Sequence, residues 1–258
     1  MLTITENSRN TLFFIVCARN RQNVKEKINE LEQMKVPFVI VCGEKVNHPN
    51  VVYREAIGKW DAINFGAKFI PDQCGVIVLN DVDTKIHNLK QALNSLNGRA
   101  DIIYCKVIVS KGPQVKFYKI LDPIRGRLHI AASGEFMLIK RKVWESVLPV
   151  PACIAEDSYI LFRALEFGYR ANFCTTAYVT TQRTTDAKHE EAYKTRTTLG
   201  IYQALQYTKP LPWINIFYSI LPFAAPLLTL AGEDGRAWTR GIEKAVNSHL
   251  QKRNPTKF

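Results

Sequence analysis

None of the six cysteines (Cys17, Cys42, Cys74, Cys105, Cys153 and Cys174) forms a Cys-x-x-Cys pair, and no histidine cluster accompanies them. That spacing argues against zinc and against a disulfide framework, and for buried free thiols in a reducing cytoplasm. The opening stretch MLTITENSRN has no apolar signal-peptide core, so the chain is expected on the cytoplasmic side. The sequence shows no internal repeat, low-complexity tract, RNP-type stretch, zinc spacing or helix-turn-helix signal. Nucleic acid is therefore not expected as a partner. Acidic residues are scarce over 85–144, three against twelve basic, and over 236–258, one against six. By contrast, residues 1–84 balance at ten and ten. The formal charge of +12 over 258 residues is thus local, and points to an anionic partner for those two stretches. Residues 211–231 carry no charge at all.

With 47% apolar and 22% charged residues, the chain is an ordinary globular one with material for a real core. Its first third alternates two periods. Thr11–Ala18, Pro37–Cys42, Val51–Arg54 and Gly75–Leu79 are short β-rich apolar runs. Between them, Asn23–Met34 and Lys59–Phe69 place apolar residues at helical spacing. This βαβ rhythm predicts a mostly parallel sheet of nucleotide-binding type. Further on, helices are expected over His87–Asn97, Arg141–Val147, Ala155–Phe167 and Glu190–Tyr207, and strands over Asp101–Val109, Phe136–Lys140 and Ala171–Thr181. Gly112–Arg127, basic and interrupted by Pro113 and Pro123, reads as a loop. Leu211–Ala231 is long enough to span a membrane, yet holds Pro212, Pro222 and Pro226. It reads either as an attachment to an anionic membrane surface, with the basic tail beside it, or as a helical pair buried on the domain.

The residues with the clearest chemistry are Asp81 and Asp83, separated by Val82 at the end of a buried strand. Ligands of open α/β sheets bind outside the carboxyl ends of strands. Two carboxylates there suit Mn2+ or Mg2+, hard ions that share their coordination with substrate phosphates. An Asp-x-Asp after a buried strand also opens the haloacid-dehalogenase phosphohydrolases, with Asp81 then a nucleophile and Asp83 an acid/base. Against that, Lys85 stands where those enzymes carry Thr or Val, and several βα units precede the motif. A nucleotidyltransferase would carry a glycine-rich basic loop after its first strand, where this chain has Ala18-Arg19-Asn20-Arg21.

Taken in order, the motifs resemble those of the family 2 inverting glycosyltransferases over roughly residues 10–205. Val16-Cys17-Ala18-Arg19-Asn20 is similar to the family's base-receiving loop. Many relatives end the second strand in Asp-Gly-Ser; here it is Cys42-Gly43-Glu44, with Glu44 a substitute one position late. Gly58-Lys59, Ala62, Asn64 and Gly66 match the G-K-x-x-A-x-N-x-G stretch, whose helix N-terminus and Lys suit a diphosphate. Asp81-Val82-Asp83 falls at the metal motif, and Ser133-Gly134-Glu135 at the segment before the acceptor-side strand. Glu156-Asp157 matches the pair that supplies the catalytic base. In the last motif, Q-x-x-R-W, Arg196 and Gly200 match, but Tyr193 and Thr197 replace Gln and Trp, which removes the signature of processive synthases.

The resemblance implies a GT-A type α/β fold, a mostly parallel twisted sheet flanked by helices, with a C-terminal helical apolar extension. It implies a nucleotide-sugar half over about 1–84, an acceptor half over about 85–205, and a C-terminal segment over 206–258. It also implies a single-sugar transfer from a nucleoside-diphosphate sugar to a glycan or lipid-linked acceptor. Donor contacts would come from Ala18, Arg19, Asn20, Glu44, Lys59, Asp81 and Arg196, and metal contacts from Asp81 and Asp83. Asp157 would be the base, with Glu156 beside it. A variant of this reading, transfer to a polyprenyl phosphate as in dolichyl-phosphate-sugar synthases, needs no strong base.

Overall fold

The computed structural model describes residues 11–112, 114–183 and 186–253. The first ten residues, Pro113, residues 184–185 and residues 254–258 of the basic tail lie outside them. The strands are β1 (Leu12–Ala18), β2 (Phe38–Cys42), β3 (Val51–Tyr53), β4 (Val76–Asp81), β5 (Thr84–His87), β6 (Ile102–Val109), β7 (Phe136–Lys140) and β8 (Ala171–Thr181). The α-helices are α1 (Val24–Gln33), α2 (Lys59–Gly66), α3 (Leu89–Asn97), α4 (Gln114–Leu128), α5 (Arg141–Val147), α6 (Glu156–Glu166), α7 (Ala187–Tyr207), α8 (Pro212–Ala224) and α9 (Glu233–Arg253). All strands join one sheet in the order β3-β2-β1-β4-β7-β6-β8-β5. The nucleotide-side half is parallel, as its βαβ rhythm requires; β7 and β5 are the antiparallel members.

Both faces of the sheet are covered, which explains why its strands read as continuous apolar runs. Successive residues of a strand point to opposite sides. Leu12, Phe14 and Val16 therefore pack with Val24, Ile28 and Leu31 of α1 and Ala92 and Leu96 of α3. Phe13 and Ile15 face the other way, towards Ile63 of α2, Val143 and Trp144 of α5, and Ile160 and Leu161 of α6.

Register brings the sequence motifs to one edge. Ala18 pairs with Cys42 and Cys17 with Asp81, so the carboxyl ends of β1, β2 and β4 lie side by side. Asn80 pairs with Phe136, which puts Glu135 at the same edge. Thr84 pairs with Thr181, and Val109 with the same residue. Only Val82 and Asp83 separate β4 from β5, although three strands lie between them in the sheet. Two residues span roughly 10 Å at most, whereas flat strands would sit about 4.8 Å apart each. The sheet must therefore curl to bring its far edge round to the end of β4.

The structure adds to or differs from the sequence reading at four places. Gly112–Arg127 is not a loop: α4 runs through it with Pro123 inside. An internal proline costs a helix about 3 kcal/mol, and here tertiary contacts offset it. Phe117 stacks on Trp238 with ring centroids 4.0 Å apart, and the Tyr104 hydroxyl donates to the Arg125 carbonyl at 2.6 Å. The basic tail forms α9 over Glu233–Arg253 and lies against α7, with Arg240 and Lys244 both paired to Glu191. The apolar segment is α8 followed by a 3-10 turn over Ala225–Ala231. Lastly, β5 follows the Asp-x-Asp directly, where no strand was expected.

Candidate functional site

The turn carrying Asp81 and Asp83 is held from below. Lys27, a buried lysine, donates to Glu30 at 2.6 Å, to Asn80 Oδ1 at 2.7 Å and to the Thr84 carbonyl at 2.5 Å. Burial pulls its ammonium down, and Glu30 works against that. Asn80 in turn donates to Thr84 Oγ1 at 3.0 Å and to the Glu135 carbonyl at 2.5 Å. The residue before the motif thus ties β4, β5 and β7 together. Neither Lys27 nor Asn80 figured among the expected site residues; the signal was a lone lysine on the apolar face of α1.

Above this support lies a cluster of charges. Lys59, first residue of α2, places Nζ 2.7 Å from Asp81 Oδ1 and 3.0 Å from Glu156 Oε1. Burial pulls the Lys59 ammonium down, but Asp81, Glu156 and Asp157 outweigh it and hold it well above its ordinary value. Burial pushes Asp81 up to about 6 and Glu156 up to about 7, both against the opposing pull of Lys59. Lys59 was expected on a diphosphate; here it neutralises two carboxylates.

Asp157 sits in the first turn of α6, where the helix dipole favours an anion. Its Oδ2 accepts the Gly134 N–H at 2.8 Å and its Oδ1 accepts the Ser158 N–H at 2.6 Å. Burial nonetheless raises it above the ordinary carboxylate range, with Lys59 opposing and Glu135 reinforcing. Gly134 is needed here for closeness. A Cβ on it would stand 2.8 Å from Lys59 Nζ and 3.1 Å from Asp157 Cβ. Glu135 pairs with Arg183, which lies over the Tyr193 ring.

Two cavities open on this cluster. The smaller, about 570 Å³, is lined by Ala18, Arg19, Asn20, Gly43, Lys59 and Asp81 among others. The larger, about 840 Å³, is lined by Glu135, Glu156, Asp157, Arg183, His189 and Lys194 among others. Lys59, Asp81, Asp83 and Arg196 line both and so form the boundary between them. Every expected site residue except Glu44 therefore borders one cavity or the other. Glu44 is drawn away to Arg21, whose backbone N–H donates to it at 3.4 Å. Gly43 takes its place at the smaller cavity, and a Cβ there would meet the Arg19 carbonyl oxygen at 2.2 Å. His189 hydrogen-bonds Asp186 at 2.8 Å.

Asp81 and Asp83 present oxygen donors at a cavity boundary, a set that fits a hard divalent cation completed by ligand phosphates. Asp81 Oδ1 is a buried oxygen whose contact is the Lys59 ammonium at 2.7 Å, so it has coordinating capacity left. Among the described residues no group of three or more His, Cys, Asp or Glu side chains is arranged to enclose a metal without such help.

No protein-family model and no curated protein matches the sequence. Solved structures do resemble the fold. A mannosyltransferase from Pyrobaculum calidifontis, in complex with GDP-Man and Mn2+, superposes with a TM-score of 0.68 at 16% identity, covering 96% of this chain and 88% of that one. A GalNAc-T7 structure with UDP, GalNAc and Mn2+ gives 0.56 at 10% identity, over 97% of this chain and 58% of that one. A mycobacterial protein gives 0.55 at 12% identity, over 77% and 76%. At such identities the likeness speaks to architecture, and it establishes a GT-A-like α/β fold with a curled central sheet.

Proposed function

We propose that the chain is a metal-dependent glycosyltransferase that moves one sugar from a nucleoside-diphosphate sugar to an acceptor hydroxyl, with inversion. One observation carries this reading: two cavities meet across Lys59, Asp81, Asp83 and Arg196, while Asp157 lines only the larger. The smaller cavity, beside the ends of β1 and β2, takes the nucleotide, and the larger takes the acceptor. The two GT-A-like neighbours with nucleotide or nucleotide-sugar and Mn2+ support it. The donor half then spans about 1–84 and the acceptor half about 85–205.

Asp81 and Asp83 would hold Mn2+ or Mg2+, which when bound offsets the charge growing on the leaving diphosphate. Arg196, on the boundary, adds a cation for the same charge. Asp157 takes the acceptor proton as the hydroxyl attacks the anomeric carbon. Its two backbone donors keep the carboxylate turned into the acceptor cavity. Glu156 anchors Lys59. A thermal-shift panel of nucleoside-diphosphate sugars with and without Mn2+ tests the donor site. At least one donor should raise the melting temperature in a Mn2+-dependent way; a panel with no such response removes the donor-site reading.

A lipid-linked acceptor is favoured by a second observation. The segment Pro212–Ala231 is the one stretch of the described residues apolar and long enough to cross a membrane, and little of it is buried. Trp213, Ile216, Ile220, Phe223, Leu227 and Leu230 are all exposed, Phe223 by 83% and Leu230 by 87%. Their spacing of three and four forms a stripe. Trp213 Nε1 donates to the Leu128 carbonyl at 3.0 Å, which sets α8 against the end of α4, whose outward side carries exposed Lys116, Lys119 and Arg127. An apolar stripe beside a basic face suits the surface of an anionic leaflet. Vesicles containing phosphatidylglycerol should sediment the full chain, and Phe223→Asp with Leu230→Asp should weaken that at least about tenfold, since each buried apolar side chain contributes roughly 2 kcal/mol. Unchanged partitioning would rule the stripe out as a lipid contact.

A further inference from the structure

Native chains leave few buried polar atoms without a partner. Among the side-chain atoms of the described residues there are three: Asp81 Oδ1, Gln114 Oε1 and Arg125 Nη2. All three residues line the larger cavity. Asp81 has its ion pair with Lys59, and its spare capacity belongs to the metal motif. The other two have no role in the chemistry described so far. They lie eleven residues apart on α4, three turns along, and therefore on one helix face. Tyr118 and Leu121 complete that face at the cavity.

Arg125 is only 7% exposed and is held rigidly. Its Nη1 donates to Asp122 at 3.2 Å and its Nε to the Ala131 carbonyl at 3.4 Å. The guanidinium lies among the rings of Tyr104, Phe173 and Tyr118 at 5.8, 5.4 and 6.0 Å. Packing of this kind fixes the direction in which the unused Nη2 points. From α7, Lys194 lines the same cavity, its Nζ 4.3 Å from the centroid of the Trp238 ring. Burial, with Arg125 adding to it, pulls the Lys194 ammonium down to about 8. Glu190, the acid that opposes this, is already engaged by Gln114 Nε2 at 2.7 Å and Trp238 Nε1 at 3.1 Å. Two cations thus share one end of the cavity: Arg125 is paired through Nη1 with Asp122 but has Nη2 unused, and Lys194 has no ion pair among the described residues.

We propose that this end of the cavity is a subsite for an acidic group on the acceptor, a carboxylate or a phosphate ester, bound by Arg125 Nη2 and Lys194 Nζ, with Gln114 Oε1 accepting a hydroxyl hydrogen further along α4. Guanidinium and ammonium groups bind such oxygens more strongly than they bind neutral ones. An anion between them also removes their mutual repulsion. The acceptor would then be an acidic sugar or a phosphate-bearing one, its reactive hydroxyl at Asp157 and its charge at α4. The assignment rests on the glycosyl-transfer reading of the cavity, and its test is arranged to separate the two.

Binding is measured by isothermal titration on the full chain with glucose 6-phosphate, glucuronate, glucose and inorganic phosphate, and separately with UDP and GDP plus Mn2+. Either acidic sugar should bind at least about tenfold more tightly than glucose, as expected for a charged hydrogen bond. Arg125→Gln and Lys194→Met should each remove most of that preference, and Lys194→Arg should keep it. Nucleotide binding should be unchanged in all three variants, which also shows that they fold. A preference that survives both Arg125→Gln and Lys194→Met overturns the subsite. So does inorganic phosphate binding as tightly as glucose 6-phosphate, which would make this a site for the free anion. No nucleotide binding by the unaltered chain would instead overturn the transfer reading.

Discussion

Asp157→Asn should lower sugar transfer by about 10²- to 10⁴-fold, the range a positioned general base contributes, while leaving the affinity for the donor nucleotide intact. The asymmetry follows from placement. Asp157 lines the larger cavity and takes no part in the smaller one. Asn is the same size and keeps one oxygen, so at least one of the two backbone donors from Gly134 and Ser158 stays satisfied. The pH profile of the unaltered enzyme should agree. The base must be ionised to work, and burial raises Asp157 above the usual carboxylate range. Activity should therefore fall on acidification at a higher pH than an exposed aspartate would give. Steady-state kinetics with donor binding measured in parallel checks both. Retained turnover in Asp157→Asn would remove it as the base; with a polyprenyl phosphate as acceptor, whose oxygen is already ionised, that retained turnover is the expected result.

The second large effect is on stability. Lys59→Met should lower the melting temperature at pH 7 by roughly 6 °C or more, from a loss of about 3 kcal/mol when one partner of a buried ion pair is removed. Asp81 at 2.7 Å and Glu156 at 3.0 Å would both lose their counter-charge. The sign of the pH dependence is fixed by their position. Burial has already pushed these acids up to about 6 and 7, and without Lys59 they take up protons more readily still. The deficit of the variant should accordingly shrink as pH falls from above 7 towards 6, and level off below that, where both acids are protonated with or without Lys59. Mn2+ should raise the melting temperature of Lys59→Met more than that of the unaltered chain, because no ammonium then competes for Asp81. Scanning calorimetry at pH 5 and pH 7, with and without Mn2+, decides the matter. Equal melting temperatures at pH 7 would show that Lys59 does not hold the cluster together.

Much of the lining of the smaller cavity was legible in the sequence because its signals are local. A buried strand ending in Asn80-Asp81-Val82-Asp83 and a helix opening at Gly58-Lys59 each announce themselves within a few residues, and the fold sets them side by side, Lys59 Nζ 2.7 Å from Asp81. Asp157 was legible for the same reason, as an acid at a helix start. The far end of the larger cavity was not. Pro123 and a run of basic residues hid α4, although Gln114, Tyr118, Leu121 and Arg125 already recur at helical spacing. Trp238 and Lys194 meet only because α9 folds back on α7, a contact across more than forty residues that no short motif encodes. Glu44 shows the opposite failure: a family pattern suggested a base contact, but Arg21 lies close enough to take the carboxylate.

The two-residue link between β4 and β5 has a consequence for how this protein can vary. Val82 and Asp83 connect strands that belong to distant parts of one sheet, so the turn works as a clasp on the fold as well as a place for carboxylates. Lengthening it would let the far edge swing away and carry Thr181, Gln182 and Arg183 out of the cavity with it. The length of the turn is therefore constrained by the fold, independently of the carboxylate that Asp83 presents. Insertions should gather instead where nothing is fastened, at the outer ends of the helices.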